Sequence, residues 1–172
     1  MAVEEVILVD DADVPVGRME KIEAHQKALL HRAFSVFIFD NQGRMLLQRR
    51  ALGKYHSPGL WTNACCSHPR PGEETEAAAV RRLREELGFT TALTELFAFT
   101  YRSVYDNGLT EFEFDHVFVG RYDAVIHPDP AEVSDYCYRG MDEIRADLQT
   151  HPARFTTWFH LAFPLLSEKY KG

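Results

Sequence analysis

The stretch Trp61-Thr-Asn-Ala-Cys-Cys-Ser-His-Pro69, followed by a helical segment that ends Arg81-Arg-Leu-Arg-Glu-Glu-Leu-Gly88, carries the most information about the fold and its chemistry. Side chains alternate between the two faces of an extended segment, so Cys66 and His68 can lie on the same face. The helix that follows has charged side chains suited to divalent metal and phosphate. A thiol, an imidazole and such a helix close together in the sequence indicate an enzyme.

The length and composition are those of an ordinary soluble globular protein, and we expect one domain spanning residues 1–172. The formal net charge of −7 argues against a general nucleic-acid-binding protein. The longest apolar run, near 33–39, is far too short to span a bilayer, and the N-terminus lacks the pattern of a secretory signal. Three cysteines, two of them adjacent, favour a reducing compartment. We therefore expect a cytoplasmic protein without nucleic-acid or membrane partners.

Positive charge is concentrated in one part of this acidic chain. Between Arg44 and Arg84 there are eight Lys or Arg residues and three Glu, a local excess of five positive charges. Such a patch suits a small anion such as a diphosphate. A solvated basic surface would have the same composition, so charge alone does not separate the two interpretations.

Hydrophobic periodicity and turn residues predict a mixed α/β fold. Apolar or alternating runs bounded by turns predict strands at 6–9, 33–39, 45–49, 93–105, 111–119 and 134–139. Apolar stripes predict helices at 73–87, 141–148 and 155–169, the first ending at Gly88 and the third kinked or broken at Pro164. Strands and helices mix irregularly along the chain, so we expect a mixed sheet packed between helices.

Two carboxylates, those of Glu111 and Glu113, are two residues apart on a predicted strand and therefore project from the same face. They can converge on one metal ion or one substrate. The commoner position for such a pair is a solvent-facing sheet edge, and the spacing alone does not exclude it.

Histidines offer further ligands. His25 and His31 are six residues apart, which places them on different faces of one straight helix, so they converge only if the chain bends between them. Imidazoles beside carboxylates suit Zn, Mn, Fe or another divalent ion better than an all-oxygen site does. A structural role is the commoner one for any single histidine. We assign no function to the remaining candidates His56, His127, His151 and His160.

The helix has a more specific pattern, Ser67-x5-Glu73-x7-Arg81-Arg82-Leu83-x-Glu85-Glu86-x-Gly88-Phe89. It resembles the Nudix signature, Gly-x5-Glu-x7-Arg-Glu-U-x-Glu-Glu-x-Gly-U, in which glutamates at the helix end hold divalent metal against a diphosphate. Ser67 replaces the first Gly, and Arg82 replaces a metal-binding Glu. The second departure should weaken metal-assisted hydrolysis and help to bind diphosphate itself. The alternative is that Arg82 only forms an i, i+4 ion pair with Glu86.

From Val6 to about Trp158 the chain resembles type I isopentenyl-diphosphate isomerases, a branch of the Nudix superfamily. The resemblance rests on several motifs in matching order, namely Lys21-x3-His25, Leu30-His31-Arg-Ala-Phe34, Arg49-Arg-Ala-x2-Lys54, Trp61-Thr-Asn-x2-Cys66-x-His68-Pro69, Arg82-x3-Glu86-Leu-Gly88, Tyr101-Arg102, Glu111-x-Glu113 and Trp158. It implies a Nudix-type α/β/α sandwich in which helices flank a mixed central sheet.

Such isomerases convert isopentenyl diphosphate into dimethylallyl diphosphate, so the resemblance implies a small-molecule substrate; we also expect a monomer. It implies that one divalent metal, Mn, Mg or Zn, is bound by His25, His31, His68, Glu111 and Glu113. Glu113 would act with Tyr101 on one face of the substrate, delivering or accepting a proton. Cys66 would take the opposite role on the other face. Trp158 would offer its π face to the carbocation.

The resemblance also gives the local positive charge a use. Lys21, Arg50, Lys54 and Arg82 match the positions that bind the diphosphate, and Glu86 would hold a second metal, Mg, that bridges to its oxygens.

Two other functions stay open at this point. One is a Nudix hydrolase of a diphosphate-containing substrate, and the other is a non-catalytic diphosphate- or metal-binding module. Arg82 and the Cys66 thiol argue against the hydrolase, because metal-assisted attack by water needs neither.

Overall fold

A mixed sheet forms the centre of the computed structural model, which describes residues 2–172. Within these residues the strands are β1 Glu5–Val9, β2 Pro15–Glu20, β3 His31–Phe39, β4 Met45–Arg50, β5 Trp61–Thr62, β6 Cys65–Ser67, β7 Leu93–Val104, β8 Thr110–Arg121 and β9 Val133–Arg139. The helices are α1 Lys21–Gln26, α2 Thr75–Leu87, α3 Met141–Thr150 and α4 Thr157–Lys169, and a 3₁₀ turn spans Pro152–Arg154.

Strand β3 is the central strand of the sheet. It pairs in parallel with β8 and antiparallel with β1, β4 and β6. Strand β7 pairs with β8, strands β5 and β9 pair with β4, and β2 extends the sheet beyond β1. Every residue of β3 except Arg32 is buried, as expected for a strand that is covered on both faces.

Helices cover both faces of this sheet. Residues 34, 36 and 38 of β3 pack in one hydrophobic cluster with the buried side of α2. Phe37 and Phe39 lie in a second cluster with buried residues of α3 and α4. The division follows the alternation of side chains along a strand. The predicted α/β/α sandwich with a mixed central sheet is confirmed.

The predicted strands and helices are all present, with ends displaced by at most two residues. Of the two effects predicted for Pro164, the break is wrong, because α4 runs continuously through it, and the kink stays a prediction. Phe163 and Leu166, on either side of the proline, are buried in the core and hold both halves of the helix. Three short strands (β2, β5 and β6) and the six-residue α1 were not predicted. Among residues 2–172 no helix is both long and apolar enough to cross a membrane.

Gly88 ends α2 and allows a loop to pack against the helix end. Its φ is 74°, and a Cβ at this position would lie 2.5 Å from the His127 carbonyl oxygen. The amides of His127 and Asp129 donate to the carbonyls of Leu87 and Glu86. The glycine therefore lets the segment after β8 satisfy the last carbonyls of α2.

We expect Gly88→Ala to lower the free energy of unfolding by about 2–4 kcal/mol, because it adds left-handed strain and a steric clash. Gly43→Ala is the matched control, since Gly43 has a φ of 76° but no atom within 4 Å of the place that a methyl group would occupy. That control should cost about 1 kcal/mol. Urea unfolding of both variants measures the difference, and equal losses would contradict the close approach to His127.

Candidate active site

One cavity of about 110 Å³ gathers most of the predicted site residues. Those that line it are Lys21, Arg50, Lys54, Cys66, His68, Arg82, Glu86, Tyr101, Glu111, Glu113 and Trp158. The other two, His25 and His31, are fully buried and lie next to His68 and Glu113. The fold therefore brings residues from several strands and helices, and from the loop after β4, to one place.

Three imidazoles and one carboxylate form a group that can hold a metal ion. The ligand atoms of His25, His31, His68 and Glu113 all lie within 4.8 Å of one another. Glu113 Oε1 is at the centre, 3.0 Å from His68 Nε2, 3.5 Å from His31 Nε2 and 4.0 Å from His25 Nε2. Imidazole nitrogens with a carboxylate oxygen suit a divalent transition metal.

The backbone orients two of these imidazoles. His25 Nδ1 donates to the Lys21 carbonyl oxygen at 2.7 Å, and His31 Nδ1 donates to the Leu29 carbonyl oxygen at 2.8 Å. Because a carbonyl can only accept, a neutral ring has its free lone pair on Nε2, which can bind metal. Between the two histidines the chain bends at Ala28, whose φ is 53°, and their rings lie 4.8 Å apart. This bend makes the convergence of the two imidazoles possible.

The burial of His25 also suits a metal ligand. Its Nε2 is buried and has no hydrogen-bond partner in the described part of the chain. Leaving such an atom unpaired costs about 1–3 kcal/mol. Burial, with the neighbouring His68 and His31, lowers the pKa of His25 to about 4, so the ring is neutral at pH 7. A neutral imidazole is the form that binds metal, and the residues therefore fit a divalent ion.

Glu111 lies beside this group but outside it, because tyrosines hold its carboxylate. Tyr105 donates to Glu111 Oε1, and the Tyr101 hydroxyl lies 3.5 Å from Glu111 Oε2. Glu111 is 5% exposed and Glu113 4%, so the alternative of a solvent-facing sheet edge is wrong. Four of the five predicted metal ligands are thus grouped in this structure.

Tyr101 connects the two carboxylates. Its hydroxyl lies 3.0 Å from Glu113 Oε2, closer than to Glu111, and donates its hydrogen there. Burial, followed by the charges of Glu111 and Glu113, raises the pKa of Tyr101 well above its usual value. The phenol therefore keeps its proton beside Glu113.

The Cys66 thiol is held from two sides. Its Sγ lies 3.2 Å from Asn63 Oδ1 and 3.3 Å from Ser35 Oγ. Ser35 donates to Asp115 Oδ2 at 2.7 Å, so its oxygen is left to accept from the thiol. Burial, followed by the charge of Asp115, raises the pKa of Cys66 well above its usual value. The thiol therefore carries its proton.

The predicted diphosphate-binding cations line the cavity in two kinds of environment. Lys21, Lys54 and Arg82 each form ion pairs with glutamates. Arg82 does form the i, i+4 pair with Glu86, at 3.4 Å, and it also faces the cavity, so the two interpretations of Arg82 are compatible. The guanidinium of Arg50 instead lies 5.1 Å from the centre of the Trp158 ring.

Some residues of the site had no signal in the sequence. His56 lines the cavity, stacks on Tyr105 and packs edge-on against Trp158. Burial, followed by the charge of Arg50, lowers the pKa of His56 to about 3, so the ring is neutral. Glu4 and Glu132 also line the cavity. His56, Tyr105 and these two glutamates lie in loops or at strand ends, where no periodicity indicates which way a side chain points.

The family model of the Nudix domain matches residues 29–159, which is most of the chain. The chain belongs to the Nudix family. This Nudix chain is 52% identical to the isopentenyl-diphosphate Delta-isomerase of Pectobacterium atrosepticum, over 100% of this chain and 96% of the relative. It is 46% identical to the protein of the same name from Nocardia farcinica, over 96% of both chains. The resemblance to the isopentenyl-diphosphate isomerase branch of the family is confirmed.

Solved structures agree on the fold of this Nudix chain. The Deinococcus radiodurans protein DR0079 superposes with a TM-score of 0.77 at 21% identity, covering 98% of this chain and 100% of that one. The MutT protein from Methanosarcina mazei gives a TM-score of 0.68 at 18% identity, covering 83% and 96%. At such identities the likeness shows the fold alone.

We expect Mn²⁺ or Zn²⁺ to stabilise the protein by about 2.7 kcal/mol when the free metal is at a hundred times its dissociation constant. His25→Gln should lose most of this stabilisation, because it removes one of the grouped ligands. Thermal unfolding with and without metal measures it. His151→Gln is the control, since His151 is exposed and outside the site. The assignment of the metal site would be contradicted if added metal stabilised His25→Gln as much as the wild type.

We expect Cys66 to react slowly with iodoacetamide, at a rate that still rises above pH 9. The thiolate is the nucleophile, and a raised pKa keeps its population small until the pH is high. Site-resolved mass spectrometry of the alkylated peptide gives the rate, and the same peptide in urea gives the reference. A plateau at or below pH 8 in the folded protein would contradict the raised pKa.

Proposed function

We propose that this protein is an isopentenyl-diphosphate Delta-isomerase, which interconverts isopentenyl and dimethylallyl diphosphate with the help of divalent metal. The observation that carries the proposal is the content of one cavity, which is lined by a protonated thiol, by a carboxylate paired with a tyrosine, and by four cations. The relatives of that name, matched over nearly the whole chain, support it.

The reaction sets clear physical requirements. A proton must add to the terminal carbon of an unactivated alkene, which is a very weak base, and a tertiary carbocation results. A proton then leaves the carbon nearer the diphosphate, and the double bond moves. The site needs a positioned acid, a base on the other side, electron density near the cation and little water.

Cys66 and Glu113 are our candidates for the two proton-transfer groups. They belong to β6 and β8, which flank β3 on its two sides. An alkene bound between them would face the thiol on one side and the Glu113–Tyr101 pair on the other. One group gives a proton and the other takes one, and the roles exchange in the reverse reaction. The 3.0 Å hydrogen bond from Tyr101 keeps Glu113 oriented toward the cavity.

Trp158 is our candidate for stabilising the carbocation. Its ring lines the cavity and is 2% exposed, so its π face is shielded from water. Its ring already lies beside one cation, the guanidinium of Arg50. A cation over an aromatic face gains about 0.5–2 kcal/mol, more where water is excluded.

The divalent metal, for which we propose Mn, Mg or Zn, would be held by His25, His31, His68 and Glu113. Glu111 would complete the ligand set by giving up a hydrogen bond from a tyrosine and binding the metal instead. Bound there, the metal would compensate the buried carboxylate charge and fix its orientation. Activity should therefore be lost on exhaustive chelation.

Lys21, Arg50, Lys54 and Arg82 would bind the diphosphate, with Mg held at Glu86. Glu86 suits a cation, because its Oε2 is buried and has no hydrogen-bond partner among residues 2–172. Binding energy from this non-reacting end can position the alkene between the proton-transfer groups. We propose that the enzyme acts as a cytoplasmic monomer without nucleic-acid or membrane partners, and the acidic net charge and free cysteines are in keeping with this.

The alternative, hydrolysis of a diphosphate-containing substrate, has less support. Arg82 stands where the hydrolase signature has a metal-binding glutamate, and its guanidinium lines the cavity. A fixed cation at that position favours holding a diphosphate over activating water against it.

Incubation with isopentenyl diphosphate in D₂O tests the proposal. We expect dimethylallyl diphosphate with deuterium in a methyl group, and a loss of about 10²- to 10⁴-fold or more in Cys66→Ala and in Glu113→Gln, because each removes a proton-transfer group. Cys137→Ala is the control, since Cys137 does not line the cavity. Near-normal turnover in either site variant would contradict the two-sided transfer. Phosphate release without a deuterated product would assign the hydrolase function instead.

A further inference from the structure

Three of the four cations in the cavity are already paired with carboxylates that line the same cavity. Lys21 Nζ lies 2.7 Å from Glu4 Oε2. Lys54 and Arg82 both pair with Glu132. A diphosphate that enters the cavity therefore meets cations whose charge is largely compensated.

Glu132 makes the most unusual of these contacts. One oxygen, Oε2, contacts both Lys54 Nζ and Arg82 Nη2, the latter at 3.5 Å. A lysine and an arginine on one oxygen are surroundings that also suit a phosphate oxygen. The three side chains are only 19–24% exposed, so water screens the contacts less than at an open surface.

The backbone holds Glu132 in this position. Its amide donates to the Asp129 carbonyl oxygen at 2.9 Å, and its carbonyl accepts from the Ala51 amide at 3.0 Å. Asp129 is itself tied to the end of α2 through the Glu86 carbonyl. The carboxylate is therefore a built part of the cavity and does not reach it from a free loop end.

We propose that Glu132, aided by Glu4, is a specificity-determining residue that makes the cavity take diphosphate together with a divalent cation and discriminate against metal-free diphosphate. This inference rests on the proposed function, because it assumes that the cavity binds a diphosphate. A metal-free diphosphate must compete with Glu132 for Lys54 and Arg82, and its own negative charge is repelled by the same carboxylate. A bound Mg²⁺ removes most of that repulsion.

The other role that these contacts permit is a positioning one, in which Glu132 holds Lys54 and Arg82 in place for the ligand. The two roles predict opposite signs. If Glu132 acts through its charge, a neutral isostere strengthens metal-free binding; if it acts by positioning, the isostere weakens binding.

Calorimetric titration of the full chain with inorganic diphosphate distinguishes them, once in a chelator and once in saturating Mg²⁺. We expect Glu132→Gln to bind metal-free diphosphate about five- to tenfold more tightly than the wild type, with a change below about twofold in Mg²⁺. Glu132→Asp, which keeps the charge, should retain the preference for the magnesium complex. Glu73→Gln is the matched control, because Glu73 pairs with Arg81, the neighbour of Arg82 on α2, but does not line the cavity.

Unchanged or weaker metal-free binding by folded Glu132→Gln would overturn the inference, and so would an equal gain in Glu132→Asp. If Glu132→Gln does not fold, the same titration of Glu4→Gln decides. Glu4 is half exposed, so its substitution disturbs folding less, and the variant should also bind metal-free diphosphate more tightly than the wild type. The readout is binding, so it is independent of turnover. Loss of isomerisation with this binding pattern intact would remove only the proposed function.

Discussion

The buried carboxylate of Glu113 is the interaction on which the rest of the site depends. Moving a carboxylate out of water is costly unless charges and hydrogen bonds compensate it. Burial by itself raises the pKa of Glu113, but the imidazoles of His68 and His31 more than offset this and hold the pKa well below its usual range. Tyr101 donates to the second oxygen. The neighbouring strands and loops must therefore place polar groups within hydrogen-bonding distance of the Glu113 carboxylate.

The central strand, β3, makes this arrangement possible. In the sheet, His31 lies opposite Glu113 on β8, and Ser35 lies opposite Cys66 on β6. A strand paired on both sides places groups from distant parts of the sequence at fixed separations along its length. The thiol and the carboxylate are thus brought to one cavity from the two sides of β3, and the hydrophobic clusters on both faces keep the strand in place.

Strand β8 shows how far the sequence pattern could be taken. Its sequence alternates Glu111, Glu113 and Asp115 with Phe112 and Phe114, which puts the acidic and the aromatic residues on opposite faces, and the burial of the strand alternates in the same way. Hydrophobicity alone would bury the aromatic face. The structure instead buries the face with Glu111, Glu113 and Asp115 more completely, because the histidines, the tyrosines and Ser35 lie opposite these carboxylates.

The sequence by itself determined the strands and helices with clear periodicity, the end of α2 at Gly88, and the family, because these depend on residues close together in the chain or on motifs in a fixed order. Only the tertiary structure decided that His25 and His31 converge through the bend at Ala28, and that His56 and Tyr105 join the site. It also decided that Lys54 pairs with Glu132, a residue 78 positions away. Spacing constrains side chains within one element, whereas contacts between loops depend on the path of the whole chain around the sheet.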